Sequence, residues 1–433
     1  MLDMLKKKGN CIILNKVIRL TEKPMGGVMK KGGAMKKKTE RSVRFLFAIM
    51  MLESLAANFV HPITPTIIKN LALPDYMFGL AFAGMAFTNF LFSPFWGKLS
   101  QFVASRKLLM VSCTGYAIGQ MMFCLTGSQA GILAARLVSG MFTGGIGVAA
   151  LVYILDQSSE ESQGKNLVVL AAIQSVGAAF GYLIGGVLGV YTIRGTFYLQ
   201  SATLFLSGIM FFFLLSDNEG RHFEKVPMRT LAKDANPARA FMDSKLFMTR
   251  VFAILFAASL FANLGTYAFD QCFNYYLKDQ FGFSSAYNGL LKAVVGFITL
   301  AANSTLCMWL IRHTKIRRAT SLVLTGCAVC VVGIVCFKEL VPFILVCLLL
   351  FAFNAVYVPL LQFCVAVEAT PENNNLVMGF FNAMKSLGMI GGALVAGFLY
   401  GAGAKLPFVF AGVCFLTGAV FLVVKVRRSG SYT

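Results

Sequence analysis

Charged residues are scarce in this sequence. Only 13% of its 433 residues are Asp, Glu, Lys or Arg, whereas 57% are hydrophobic. A soluble domain carries about 25% charged residues because its surface must face water. Together with a mean hydropathy of +0.72, this scarcity excludes an ordinary soluble protein and indicates that most of the surface faces lipid.

Sequence patterns of enzymes and of ATP-driven pumps are also missing. The sequence contains no phosphate-binding loop that ends in Lys-Ser or Lys-Thr, and no G-x-S-x-G nucleophile elbow. Its three histidines are not grouped with acidic residues at the spacing of a metal site. We therefore expect a chain that is not an enzyme, that binds no metal and needs no cofactor, and that ATP does not drive.

Long apolar runs dominate the remaining sequence. A helix needs about 20 apolar residues to cross the hydrocarbon core of a bilayer. Twelve runs reach that length, at about 44–68, 76–99, 107–126, 130–155, 166–191, 196–215, 247–276, 288–311, 318–337, 341–366, 376–400 and 407–426. They predict an all-α integral membrane protein with twelve transmembrane helices in two pseudo-symmetric six-helix halves.

Polar segments divide the chain into domains. We predict a basic leader at 1–43, an N-terminal half at 44–215, a cytoplasmic linker at 216–246, a C-terminal half at 247–426 and a tail at 427–433. In the leader, the residues 31–35 are what a purine-rich ribosome-binding site followed by a start codon would encode. Part of the leader is therefore expected to be non-native, with Met35 or Met29 as the physiological start.

Positive charge is distributed unevenly between alternate loops. The net charge is +21, and most Lys and Arg lie in the leader, the linker, the tail and alternate loops such as the one with Arg106 and Lys107. Cytoplasmic loops of membrane proteins carry such an excess. We expect a monomeric multi-pass protein of a bacterial cytoplasmic membrane, with both termini cytoplasmic. Its expected partners are the lipid bilayer and a small-molecule substrate, and not nucleic acid.

The two halves resemble each other at a constant offset. Arg106 corresponds to Arg317, since 317 − 106 = 211, and Gly177 and Gly181 correspond to Gly388 and Gly392 at the same offset. The matches occur in the same order in both halves, which indicates a duplicated six-helix unit. Transporters built from such repeats move their halves around a site near the middle of the membrane.

Glu53 is the strongest candidate for a functional charge inside the membrane. It lies about nine residues inside the first apolar run, and charged residues at such depth are costly and usually functional. A carboxyl group at this position can take up and release a proton, so we interpret Glu53 as the proton site. Asn58, one to two helical turns further along, is a candidate polar contact in the same cavity.

Three other charges leave alternatives open. Lys385 lies deep in the eleventh run, where the first half has the neutral Gln174. It can neutralise an anionic substrate or pair with an acid from another helix. Asp270 and Lys292 lie toward the outer ends of the seventh and eighth runs, where an extracellular ion pair is favoured and a substrate contact is the alternative for Asp270.

Four local motifs give the chain a family resemblance. They are Pro62-Ile63-Thr64-Pro65, the loop Gly97–Lys107, Arg136-Leu137-Val138-Ser139-Gly140, and Gly177-x-x-x-Gly181-Tyr182-x-x-Gly185-Gly186. These motifs resemble signatures of the major facilitator superfamily, and the last one is similar to that of its drug/proton antiporter branch. The loop departs from the family pattern at Gln101 and Ala104, and the last motif has Tyr182 in place of Pro.

The resemblance implies roles for particular residues. Arg136 would take part in proton or substrate coupling beside Glu53, with an Arg that snorkels to the surface as the alternative. The residues implied in a conformational latch between the halves are Gly97, Arg106, Asp156, Arg317 and Glu368. Those implied in close helix packing are Gly177, Gly181, Gly185, Gly186, Gly388 and Gly392. Those implied in substrate binding are Asn58, His61, Tyr267, Asp270, Phe273, Tyr357 and Lys385.

The expected function is therefore secondary active transport. The resemblance favours proton-coupled export of amphipathic small molecules by alternating access, with protons as the coupling ion. Two alternatives remain: a symporter or lipid flippase for an anionic substrate, and a non-transporting membrane sensor on a transporter fold. The sequence does not determine the substrate, because this fold serves many chemistries.

Overall fold

The computed structural model describes residues 32–216, 242, 244–337, 339–370 and 373–423, and the described residues form helices and no strand. Most of the predicted leader, linker and tail lies outside them. Backbone N–H and C=O groups find no water in a bilayer, so helices that satisfy these groups internally are the expected solution for apolar runs of this length.

Within the described residues, twelve helical segments, named here span 1 to span 12, are long and apolar enough to cross a membrane. They are Ser42–Asn70, Met77–Leu99, Ser105–Leu125, Gln129–Gln157, Ser162–Tyr191, Ile193–Leu214, Arg250–Phe281, Ser285–His313, Ile316–Cys336, Leu340–Glu368, Leu376–Ala402 and Leu406–Val423. The helices of spans 1, 5 and 11 begin earlier, at Gly32, Glu160 and Asn374. Each predicted run overlaps one of these spans, which confirms the predicted fold class.

Two spans are not continuous α-helices. Span 1 consists of a helix Gly32–Ala57, a 3₁₀ turn His61–Ile63 and a short helix Thr64–Asn70. Span 8 contains a π-helical stretch, Asn303–Cys307, between its two α-helical parts. Only the break in span 1 lies beside the candidate site described below.

Successive spans alternate in direction, so span 1 begins and span 12 ends on the same side of the bundle. We call this side the termini side and the opposite one the far side. The connections on the far side are short, for example Leu125 to Gln129 and Tyr191 to Ile193. Arg106 and Arg317, at the beginning of spans 3 and 9, lie on the termini side.

The hydrophobic core shows that the halves are joined on the far side. One cluster of buried residues lies within the N-terminal half, around Met50, Leu109 and Ile154. A second cluster fills the C-terminal half and continues into the N-terminal half through far-side residues such as Ile67 and Phe78. The apolar contact between the halves is therefore concentrated on the far side.

Glycines allow two pairs of helices to pack closely within the halves, and the two arrangements correspond. A Cβ atom on Gly185 of span 5 would lie 2.0 Å from the carbonyl oxygen of Phe59 in span 1. A Cβ atom on Gly392 of span 11 would lie 2.4 Å from the carbonyl oxygen of Leu264 in span 7. The duplication inferred from the sequence thus appears as the same helix contact in each half.

Glycines also form the seams between the halves. A Cβ atom on Gly79 of span 2 would lie 2.1 Å from the carbonyl oxygen of Ala393 in span 11. On the other side of the bundle, a Cβ atom on Gly289 of span 8 would lie 2.3 Å from the carbonyl oxygen of Tyr182 in span 5. Both seams lie in the far-side halves of their spans, in agreement with the distribution of the core.

The packing of span 5 on span 1 yields a testable prediction. We expect Gly185→Ala to lower the free energy of unfolding by about 1–3 kcal/mol, because the added methyl group meets backbone that cannot move aside. Thermal unfolding of the purified protein would measure this. Gly164→Ala, in the same helix with nothing within 4 Å of its Cβ position, is the control. Equal stability of the two variants would contradict the packing role of Gly185.

Candidate functional site

The break in span 1 shapes the centre of the protein. The first helix ends at Ala57 and the next begins at Thr64. Pro62 and Pro65 fall at this break, and a proline both lacks an N–H donor and clashes with the carbonyl group four residues earlier. The sequence motif therefore produces a local interruption near the middle of the span.

Side chains of neighbouring spans bind carbonyl groups at the end of the first helix. Gln200 of span 6 donates from Nε2 to the carbonyl oxygens of Ala56 (3.0 Å) and Ala57 (3.2 Å). The Tyr116 hydroxyl of span 3 also donates to the carbonyl oxygen of Ala57, at 3.1 Å. These bonds hold the interrupted helix in place, and our sequence analysis missed both residues. A glutamine inside an apolar run was the available signal for Gln200.

Glu53 is a buried carboxyl group just before the break. Its residue is 6% exposed, and its Oε2 accepts a hydrogen bond from the Ser54 hydroxyl at 3.2 Å. No Lys, Arg or His of the described chain forms an ion pair with it. A buried carboxylate without a cationic partner is costly, which favours a group that binds a proton or a cationic ligand.

Glu53 lines a cavity of about 230 Å³ near the middle of the N-terminal half, called the central cavity below. Spans 1, 3, 4 and 5 contribute its polar lining residues: Glu53, Asn58, His61, Tyr116, Thr143 and Gln174. The structure thus brings three predicted site residues, Glu53, Asn58 and His61, into one cavity. The amide of Asn58 is held by a 2.7 Å hydrogen bond to the carbonyl oxygen of Ser54.

Arg136 of span 4 is the second buried charge near the centre. It is 4% exposed, its Nη2 donates to the Thr64 hydroxyl at 3.2 Å, and its guanidinium group lies 4.3 Å from the centre of the Phe123 ring. Its Nε has no hydrogen-bond partner in the described chain. Arg136 is therefore directed into the protein, and it does not snorkel to the surface.

A smaller cavity of about 30 Å³ adjoins Arg136, between the centre of the protein and the far side. His61 and Met85 line both this cavity and the larger one. The ring of His61 stacks on that of Tyr182, with 5.6 Å between the ring centres. Asn274 of span 7 also lines the smaller cavity, so residues of both halves meet here.

The structure pairs Asp270 with Lys292, as the sequence favoured, but places the pair differently. The Lys292 ammonium contacts a carboxylate oxygen of Asp270, and the side chains of Lys292 and Asp270 are only 7% and 23% exposed. The ammonium also lies 4.8 Å from the centre of the Phe351 ring. The pair lies in the far-side parts of spans 7 and 8, as predicted, but spans 7, 8 and 10 enclose it. The expectation of an ion pair at the extracellular surface is therefore wrong.

Lys385 of span 11 is half-buried and contacts no carboxylate in the described chain. Of the predicted aromatic contacts, Tyr267 faces the other half, with its ring centre 5.9 Å from that of Phe82. Phe273 and Tyr357 are fully buried within the C-terminal half. In this conformation they belong to the core, and their use as substrate contacts stays a prediction.

The predicted latch residues all lie at the termini side. Arg106 donates to the carbonyl oxygen of Phe212 at 3.4 Å, and Arg317 of the second half correspondingly donates to that of Leu422 at 2.8 Å. The other three, Gly97, Asp156 and Glu368, lie at the termini-side ends of spans 2, 4 and 10. Their function as a latch stays a prediction.

An ionic cluster closes the far side and was missed by our sequence analysis. The Lys69 ammonium lies 3.0 Å from a carboxylate oxygen of Asp75 and 2.5 Å from one of Asp279. Tyr275 donates a hydrogen bond to Asp75, and Tyr400 donates one to Asp279 at 2.7 Å. Because Lys69 and Asp75 belong to the N-terminal half and the other three to the C-terminal half, the cluster ties the halves together.

Similar proteins include several resistance proteins. Multidrug resistance protein 2 of Bacillus subtilis (strain 168) is 21% identical over 390 residues, which cover 88% of this chain and 95% of that protein. The class C tetracycline resistance protein of Escherichia coli is 23% identical over 392 residues, which cover 89% and 96%. The quinolone resistance protein NorA of Staphylococcus aureus (strain MSSA476) is 25% identical over 247 residues, which cover 56% and 60%.

Solved structures share the fold. The human organic anion transporter MFSD10 (TETRAN) matches with a TM-score of 0.62 at 20% identity, covering 89% of this chain and 99% of that one. A peptide transporter, POT, matches with a TM-score of 0.70 at 14% identity, covering 88% and 93%. The Major Facilitator Superfamily model matches residues 46–393. The chain is thus a multi-pass membrane protein that belongs to the Major Facilitator Superfamily of transporters.

Proposed function

We propose that this chain exports amphipathic small molecules in exchange for protons, by alternating access to the central cavity. In this proposal the termini side is cytoplasmic, because the basic loops lie there. The structure would then represent the state that is closed to the outside. The membrane is expected to be a bacterial cytoplasmic membrane, since the similar resistance proteins come from bacteria.

The burial of Glu53 without a cationic partner is the observation on which this proposal rests. Glu53 is a buried carboxyl group in the wall of the central cavity, and no cation of the described chain compensates it. A proton and a cationic or polar ligand can each compensate that charge, and each lowers the affinity for the other. Exchange of one for the other at a single carboxylate couples the proton gradient to export.

Two further observations support export. The similar proteins are named for resistance to several drugs, to tetracycline and to quinolones. The glycine motif of span 5, which resembles the antiporter signature, packs directly on the part of span 1 that carries Glu53, with a Cβ atom on Gly177 only 2.8 Å from that of Ser54. Rearrangement of span 5 would therefore act on the proton site.

Replacing Glu53 tests the coupling directly. We expect Glu53→Gln to abolish accumulation driven by a pH difference in proteoliposomes, since glutamine keeps the shape and hydrogen bonds but does not titrate near neutral pH. Exchange of labelled for unlabelled substrate without a gradient should remain. The exposed Glu339 provides the control variant, Glu339→Gln. Uphill accumulation by the Glu53→Gln protein would show that another group carries the proton.

Removing the ion pairs of the far-side cluster tests alternating access. We expect Lys69→Met to favour the state open on the far side, because it removes both ion pairs between the Lys69 ammonium and the two carboxylates. Hydrogen–deuterium exchange should become faster at the far-side ends of spans 1, 7 and 11. Lys405→Met is the matched control, because the partners of Lys405 among the described residues are the carbonyl oxygens of Val335 and Phe337, within one half. Identical exchange in both variants would contradict a closing role for Lys69.

A second candidate function is symport of an anionic substrate. Two cations near the centre, Arg136 and Lys385, contact no carboxylate in the described chain. A buried cation favours an anionic ligand as its counter-charge. An anion would also favour the protonated form of Glu53, so that the proton and the anion would move in the same direction.

Two matched probes, naphthalenesulfonate and naphthylmethylammonium, separate the two candidates. Exchange predicts that the ammonium probe binds to the protein and releases protons, whereas symport predicts that the sulfonate probe binds and takes protons up. A pH-sensitive dye in weakly buffered solution records the sign. Under symport we expect Lys385→Met to weaken sulfonate binding by about tenfold without lowering the melting temperature, since no internal ion pair is lost.

A further inference from the structure

A polar cleft of about 540 Å³ lies on the far side, away from the central cavity. It is situated where the loop between spans 5 and 6 meets the beginning of span 8 and the ends of spans 1 and 7. Its lining includes the polar side chains of Thr66, Asn70, Thr192, Arg194, Lys278, Ser284 and Ser285. The mechanism proposed above uses none of these residues.

The cleft is positively charged. Arg194 and Lys278 both line it, no acidic residue does, and neither cation forms an ion pair in the described chain. Hydroxyl and amide groups complete the polar lining, as in sites that bind phosphate through charge and several hydrogen bonds. Spans 6 and 8 also begin here, and the N-terminal end of a helix carries partial positive charge. The cleft therefore favours a phosphate group.

The border of the cleft is apolar and exposed. Val190 and Tyr191, which also line it, are 55% and 83% exposed. Below them, Val187 of span 5 and Leu290 of span 8 continue an exposed apolar surface toward the middle of the bundle. A phosphate in the cleft is thus next to the surface that acyl chains cover, which favours a phospholipid over a soluble phosphate.

The cleft joins the two halves of the protein. Arg194 belongs to the N-terminal half, and Lys278 and Ser284 belong to the C-terminal half. At its floor, the Ser285 hydroxyl donates to the carbonyl oxygen of Gly186 across the seam, at 2.9 Å. A ligand held by residues of both halves is bound more tightly when the seam is closed, and so stabilises that state.

We propose that this cleft binds the head group of an anionic phospholipid from the far-side leaflet. The phosphate lies between Arg194 and Lys278, and the acyl chains follow the exposed surface of spans 5 and 8. Bound lipid stabilises the conformation that is closed on the far side. This site is independent of what the central cavity transports.

Lipid titration of the purified full-length protein in a neutral detergent tests the site. We expect phosphatidylglycerol to raise the melting temperature in a saturable manner, and phosphatidylcholine to raise it less. The double variant Arg194→Gln/Lys278→Gln should need about tenfold more phosphatidylglycerol for half the effect, because two cationic contacts are lost. Arg194→Lys/Lys278→Arg keeps both charges and should respond like the wild type.

Control variants and soluble phosphate make the test specific. Lys165→Gln/Arg312→Gln removes two exposed cations from the termini side and should leave the titration unchanged. Hydrogen–deuterium exchange at the far-side ends of spans 5 and 8 should become slower when phosphatidylglycerol binds. An unchanged titration in the Arg194/Lys278 glutamine variant would overturn the proposal, as would equal effects of the two lipids. A shift caused by inorganic phosphate alone would assign the cleft to a soluble anion instead.

Discussion

The absence of water from the bilayer interior is the constraint on which this structure depends. Every carbonyl group that leaves its helix must find another donor within the protein. The break in span 1 meets this requirement through Gln200 and Tyr116, which bind the carbonyl groups of Ala56 and Ala57. The same bonds hold the helix end that carries Glu53 beside the central cavity. The hydrogen bonding of the backbone and the position of the proposed proton site are therefore linked.

The same constraint applies to charges. Lys292 is buried and paired with Asp270, and Lys69 is shared between two carboxylates on the far side. Glu53, Arg136 and Lys385 have no such counter-charge in the described chain. Because an uncompensated charge inside the protein is costly, these three positions are the candidates for binding a proton or a charged ligand. The difference between paired and unpaired charges thus separates structural residues from candidate functional ones.

Contact between the halves is asymmetric, and this asymmetry defines the conformation. On the far side, glycines bring spans 2 and 11 and spans 5 and 8 together, and the Lys69 cluster adds ionic contacts. Apolar side chains such as Phe78 also pack across this side, and the ionic cluster gives the closed state a specific geometry. The cleft with Arg194 and Lys278 lies across one of these seams, where a bound lipid would add to the closed state.

The sequence by itself determined the twelve helices, their division into two related halves and the residues most costly to bury. Apolar length and the repeat offset are local properties of the chain, so no tertiary information was needed for them. The motif with Gly185 likewise predicted close packing, although not the partner against which it packs. Only the tertiary structure decided which charges are compensated, because pairing depends on residues far apart in the chain, such as Lys69 and Asp279. For the same reason it alone placed Asp270 in the interior, Phe273 and Tyr357 in the core, and Glu53, Asn58 and His61 around one cavity.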